Sequence, residues 1–116
     1  MLATMGLRIG ALVLNVRDVE RASRFWTQAL NYVPATSNEL FLEPVAGSDD
    51  APELHLDTDD ATHLDLWTVE ADNVEAEVRR LVSLGATRAE DWELPADADF
   101  VVLRDPEGNV FCVIPA

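Results

Sequence analysis

The chain has 116 residues, 48% of them hydrophobic, with 22 acidic against 8 basic side chains and a formal charge of −14. That length and apolar content suit one ordinary domain with its own core and argue against disorder. The acidity argues against a nucleic-acid partner, because phosphates would be repelled and Arg79, Arg80 and Arg88 stand among acids.

Leu7–Val16 is apolar and partly β-branched, and the alternation of Leu12, Leu14 and Val16 predicts a strand. Asp18 stands where an N-cap would, with Glu20 early in the first turn. Ala22, Phe25, Trp26, Ala29 and Leu30 recur at helical spacing as one apolar, core-facing stripe, so a helix is expected over Val19–Leu30. Asn31 can end it in the left-handed conformation, and Pro34 bars its continuation. Short strands are expected near Tyr32–Thr36 and Glu39–Glu43, a turn-rich loop over Val45–Pro52, and an alternating strand over Glu53–Asp57.

After a linker at Asp59–Ala61 the pattern begins again. His63–Val69 alternates as a half-buried strand, Asp72 is a second N-cap candidate, and Val74, Val78, Leu81, Val82 and Leu84 mark a second amphipathic helix that Gly85 can terminate. Strands are expected at Thr87–Glu93, Phe100–Arg104 and Val110–Ile114, the last two joined by a tight turn at Asp105-Pro106-Glu107-Gly108. The fold class is therefore α+β: two βαβββ modules, about 7–58 and about 62–115, in a single domain spanning 1–116. One such unit covers one face of its sheet with its helix, and the other face must meet a second unit. Two curved sheets so arranged leave a shared cleft, a preferred place for a ligand.

Several of these residues carry a resemblance: Val16-Arg17-Asp18 followed by Phe25-Trp26, His63-Leu64-Asp65-Leu66, Val74-Glu75-Ala76-Glu77-Val78 with Leu84-Gly85-Ala86, and Leu103-Arg104-Asp105-Pro106-Glu107-Gly108-Asn109 with Phe111-Cys112. Over roughly residues 7 to 115 the chain resembles the vicinal oxygen chelate (glyoxalase/bleomycin-resistance/dioxygenase) superfamily, and most of all its small glyoxalase-like proteins. The resemblance implies a metal site built from one His or Glu on the first and last strand of each module. Here the first position falls at about Ala11, which cannot ligate, and the second within Glu53–Asp57. The third falls at His63, and the fourth is replaced by Cys112. The resemblance also implies a homodimer.

Strand parity supplies a separate reading. Leu64 and Leu66 should pack on the helices while His63, Asp65 and Trp67 face the cleft, and Cys112 shares a face with Val110 and Ile114. In the first module Leu12, Leu14, Leu54 and Leu56 go to the helix side, and Ala11, Val13, Asn15, Glu53, His55 and Asp57 to the other. The expected ligand contacts are thus Ala11, Val13, His55, His63, Asp65, Trp67 and Cys112.

His63 is the candidate base or polar anchor, weighed against a strand-end histidine bonded to a neighbouring acid. His63 and Asp65 are not expected to form a dyad, since residues two apart on a strand lie roughly 6.5–7 Å apart. Cys112, the sole cysteine, reads as a small buried hydrophobe before a catalytic thiol. Trp67 is a stacking platform; Trp92 is that or a loop or dimer contact. Asp57-Thr58-Asp59-Asp60 lacks the glycine and distant glutamate of an EF-hand.

Three functions stay open. The first is a small-molecule-binding protein, sequestering an antibiotic or hydrophobic metabolite or doing mild acid–base chemistry with His63, with no metal or other cofactor. The second is a divalent-metal lyase, isomerase or dioxygenase of the same superfamily, with His55, His63 and Cys112 holding an ion such as zinc. The third is a structural dimer with a vestigial cleft. With no disulfide possible, no signal-peptide pattern in Met1–Gly10 and no run approaching the roughly 20 apolar residues of a membrane span, the expected location is the cytoplasm, with no membrane partner.

Overall fold

The computed structural model describes residues 6–45, 51–69, 73–91, 94 and 98–115. Asp72, Trp92, and positions 46–50 of the expected loop lie outside the described residues. The order strand, helix, three strands occurs twice: β1 (Leu7–Asn15), α1 (Val19–Leu30), β2 (Tyr32–Pro34), β3 (Phe41–Pro44), β4 (Glu53–Asp57), then β5 (His63–Thr68), α2 (Val74–Ser83), β6 (Thr87–Arg88), β7 (Val101–Arg104) and β8 (Val110–Ile114). The chain divides into two compact units, residues 10–62 and residues 1–9 with 63–116.

In the unit of residues 10–62 the strand order is β2-β3-β4-β1, with β1 and β4 parallel. The register pairs Leu12 with Leu54 and Leu14 with Leu56, so one sheet face is a row of leucines. Leu42, Leu54 and Leu56 are buried there, and Val19, Ala22 and Trp26 of α1 pack against them. Burying leucines so fully contributes on the order of 1.5–3 kcal/mol each. The Asp18 carboxylate accepts from the Arg21 N–H at 3.0 Å, satisfying one of the orphan donors of the first turn. Asn31 ends the helix at φ 58°, the left-handed cap read from the sequence.

Phe25 corrects the expected stripe. It is 61% exposed, whereas Trp26 is half-buried. Adjacent helix residues point about 100° apart, so Phe25 and Trp26 cannot both point along the same line into one core. The two rings meet edge-on instead, with centroids 4.9 Å apart at 86°.

In the other unit the order is β5-β8-β7-β6, with β5 and β8 parallel and the remaining pairs antiparallel. Val78 of α2 and Val113 and Leu103 of the sheet are fully buried together, with Ala86 beside them and Leu7, Val74, Leu81, Val101 and Phe111 around them. Asn73 is the N-cap of α2, and its side chain makes no capping bond. Acids in the first turn, Glu75 and Glu77, favour that end of the helix dipole instead. Glu77 is 2% exposed. Its carboxylate accepts from the Gly6 N–H at 2.8 Å and from Arg80 Nε at 2.9 Å, tying the start of β1 to α2.

Gly85 follows the end of α2 at φ 121°, and a Cβ there would lie 3.2 Å from the Pro106 ring, so conformation and space both call for glycine. Strand β6 is shorter than Thr87–Glu93: it stops at Arg88, and Asp91 takes up a two-pronged pair with Arg104 at 2.7 and 3.1 Å. In the β7–β8 turn the Asp105 carboxylate accepts from the Glu107 and Asn109 N–H groups and from Asn109 Nδ2, all within 2.9 Å.

Candidate functional site

The register of β5 against β8 decides which side chains share a face. Leu64 pairs with Phe111 and Leu66 with Val113, on the side that carries α2. Asp65 pairs with Cys112 and Trp67 with Ile114, on the opposite side. Leu64 departs from the core position expected of it, remaining 37% exposed. The contacts of α2 centre on β8, which leaves the start of β5 less covered.

The face away from α2 buries polar groups. His63 and Asp65 are 8% and 9% exposed. Cys112 is also buried, in an apolar cluster with Ala89 and Val102 that Phe100, Val110 and Ile114 flank. His63 Nε2 lies 3.3 Å from Asp65 Oδ1. This corrects the expectation that the two cannot pair: backbone spacing separates the Cα atoms, but strand side chains lean along the strand and their tips converge. The ligating atoms of His63, Asp65 and Cys112 all lie within 4.8 Å of one another. Burying an imidazole, a carboxylate and a thiol together costs free energy unless the groups satisfy each other or something they bind. Such clusters mark functional sites more often than the rest of a fold.

Trp67 continues the same face and is half-buried. The guanidinium of Arg8 stands over its ring, 4.8 Å from the centroid, a cation–π contact that the sequence gives no sign of. Parity places Trp67 on its face, but the partner comes from a remote strand end. The contact occupies one side of the indole and places a positive charge on that ring, in a chain of formal charge −14.

The remaining expected contacts lie in the unit of residues 10–62. Ala11 pairs with Glu53 and Val13 with His55, so the four share the face away from α1. Ala11 and Val13 are buried. The His55 ring stacks on Phe41 with centroids 3.9 Å apart at 14°, and its Nε2 lies 2.8 Å from Glu53 Oε1. Phe41 escaped the sequence reading because the β3–β4 register that sets it opposite His55 depends on loop geometry.

Ala11 offers a methyl group where the family's usual metal set needs a donor, and Cys112 offers sulfur where that set has a carboxylate. These residues therefore do not fit the four-strand oxygen and nitrogen site that the family resemblance implies. Two surface hollows border α1, one beside Phe25 and one reaching Tyr32–Pro34, and neither includes any of the candidate residues. No described helix is long and apolar enough to cross a membrane.

The family described as Glyoxalase-like domain matches residues 11–114. No curated protein is matched by the sequence. Among solved structures, the chain is similar to one described as an NAD-dependent benzaldehyde dehydrogenase from Legionella pneumophila, at 15% identity and a TM-score of 0.60, covering 89% of this chain and 95% of that one. It is also similar to methylmalonyl-CoA epimerase from Mycobacterium tuberculosis, at 19% identity and a TM-score of 0.54, covering 100% of this chain and 93% of that one. At such identities the likeness shows the fold alone.

Proposed function

Because this chain belongs to the glyoxalase-like domain family, we propose that it binds a small organic molecule through His63, Asp65 and Trp67. The observation that carries this reading is the burial of His63 and Asp65 on a face otherwise lined by Cys112, Val102 and Ile114. A largely apolar face with a few convergent polar atoms suits a modest organic ligand, such as a hydrophobic metabolite or antibiotic. His63 is the polar anchor, Asp65 the acceptor beside it, and Trp67 the aromatic wall. Arg8 extends the choice to ligands with an anionic group, which the acidic chain would otherwise repel. Binding of this kind requires no resident metal, and the protein acts in the cytoplasm as a homodimer.

A second reading rests on the 3.3 Å approach of His63 to Asp65. An imidazole oriented by a carboxylate can take a proton from a carbon acid and return it, which is mild acid–base chemistry. The first test is a thermal-shift screen of small aromatic and carboxylate compounds. A true ligand at about 100 times its Kd adds about 2.7 kcal/mol of stability. For a domain of this size that raises Tm by roughly 10 °C. His63→Ala should abolish the shift, and a screen that neither raises Tm nor quenches tryptophan fluorescence would sink the proposal.

A further inference from the structure

We propose that the outward face of α1 around Phe25 docks an acidic helical segment of a partner protein, which sets an apolar side chain against the Phe25 ring and carboxylates against Arg21 and Arg24. The surface lies wholly in the unit of residues 10–62 and uses none of the residues of the preceding reading.

The first argument is the apolar anchor. Phe25 is mostly exposed and borders an open hollow of about 520 Å³ that Arg21, Arg24, Gln28 and Ala29 also line. Its ring rests edge-on against Trp26, which is itself packed on the buried leucines of the sheet. An aromatic held in place beforehand loses little freedom when a partner covers it. A small molecule needs a site that encloses most of it, and this hollow does not. Another helix does fit. The rows Arg21-Phe25-Ala29 and Arg24-Gln28 are neighbouring i to i+4 ridges of α1, and the groove between them accepts a ridge of a second helix.

The second argument is charge. The chain has 22 acids against 8 bases, yet this hollow is lined by two of those bases and by no acid. Arginine and aromatic side chains without aspartate or glutamate are the composition of an interface core. Among the described residues the Arg21 side chain has no ion pair. The Asp18 carboxylate is engaged in capping the helix through the Arg21 backbone N–H. Glu20 stands 3.8 Å from Arg24, but both side chains are mostly exposed, and so wet a pair yields to a better acceptor. Two arginines in an otherwise anionic field select a partner that brings carboxylates.

The same charges decide between occupants. A two-fold contact between copies of this face would set Arg21 and Arg24 against their own equivalents. The neighbouring hollow toward Tyr32–Pro34 is lined by Glu20 and Glu39, so an acidic segment is held to the Phe25 side. From Arg21 to Gln28 the face runs roughly 10 Å along the axis, about two turns. A helix of that span presents one apolar residue with a glutamate a turn to either side.

The test uses the full chain, labelled for amide NMR, and a synthetic alanine-based helical peptide of roughly 15 residues with one leucine flanked by glutamates a turn away. The amide signals of α1 from Arg21 to Ala29 should shift and saturate, and added salt should weaken the binding. The same peptide with lysines for glutamates should leave them unmoved. The double variant Arg21→Gln with Arg24→Gln, and separately Phe25→Ala, should each weaken binding about tenfold or more. All three positions are exposed, so both variants should keep the wild-type Tm. No shift with the acidic peptide, an equal shift with the lysine peptide, or wild-type affinity in either variant would overturn the proposal. Equal binding of a single-stranded oligonucleotide would also overturn it, since the face would then attract any anion. Sedimentation supplies the last arm: self-association that the double variant abolishes would give the face to a second copy and overturn the choice of a foreign partner.

Discussion

Glu77 offers a demanding test of the structure, because as a sequence it looks like a surface acid on an amphipathic helix. Its side chain is instead almost wholly buried, receiving the Gly6 N–H at 2.8 Å and the Arg80 guanidinium at 2.8–2.9 Å. Glu77→Ala removes a hydrogen bond between a backbone donor and a charged acceptor, worth about 1.5–3 kcal/mol. It also removes an ion pair whose arginine is 40% exposed, worth at most about 1 kcal/mol after solvent screening. The expected loss is thus about 1.5–4 kcal/mol, or a fall in Tm of roughly 6–16 °C for a domain of this length. Arg80→Ala should cost no more than about 1 kcal/mol, since the Gly6 bond survives. Gly6 lies two residues before Arg8, so the Glu77 variant should also disturb the Arg8–Trp67 contact and alter tryptophan emission. Urea melts of wild type and both variants, with a fluorescence readout, give all three quantities. A Glu77→Ala variant within about 1 kcal/mol of wild type would refute the claim that this carboxylate pins the start of β1.

Three further outcomes are expected. Leu103→Ala empties a fully buried position against Val78 and Val113 and should cost about 2–5 kcal/mol in urea melts, with most of the effect absent in Leu64→Ala. Asp18→Ala removes the N-cap bond to the Arg21 N–H and should cost about 1 kcal/mol, whereas Asp18→Asn should nearly restore stability. Acid should destabilise the β7–β8 end. The Asn109 amide and N–H hold the Asp105 carboxyl below its usual range, and Arg104 does the same for Asp91. Both contributions are whole above the ordinary aspartate value, about 3.9, and are lost as pH falls through the lower folded values. Proton NMR titration of the two carboxyl groups should show both midpoints below that of a free aspartate, and Asn109→Ala should raise the Asp105 midpoint.

Much of the local architecture was legible because its causes are local. Alternation fixed β4 and β8 to the residue, and an N-cap aspartate with helical spacing fixed α1 over Val19–Leu30. Parity alone separated Leu12, Leu14, Leu54 and Leu56 from the opposite faces of β1 and β4, since side-chain direction in a strand follows from counting by two. The Asp-Pro-Glu-Gly turn announced itself through residues that can bond their own backbone or accept a positive φ, as Gly108 does at 90°.

What the chain could not disclose in one dimension are distances between groups that no local rule relates. The closing of His63 on Asp65 depends on side-chain lean, and the arrival of Cys112 beside them depends on the parallel register of β5 and β8. Phe25 turned outward and Glu77 inward because the direction of a helix face is set by what the helix packs on, and composition is silent on that. The pairing of Arg8 with Trp67 joins residues far apart in sequence for the same reason. Periodicity determined which elements form and which face each residue takes; tertiary packing decided which polar atoms meet and which are sealed from water.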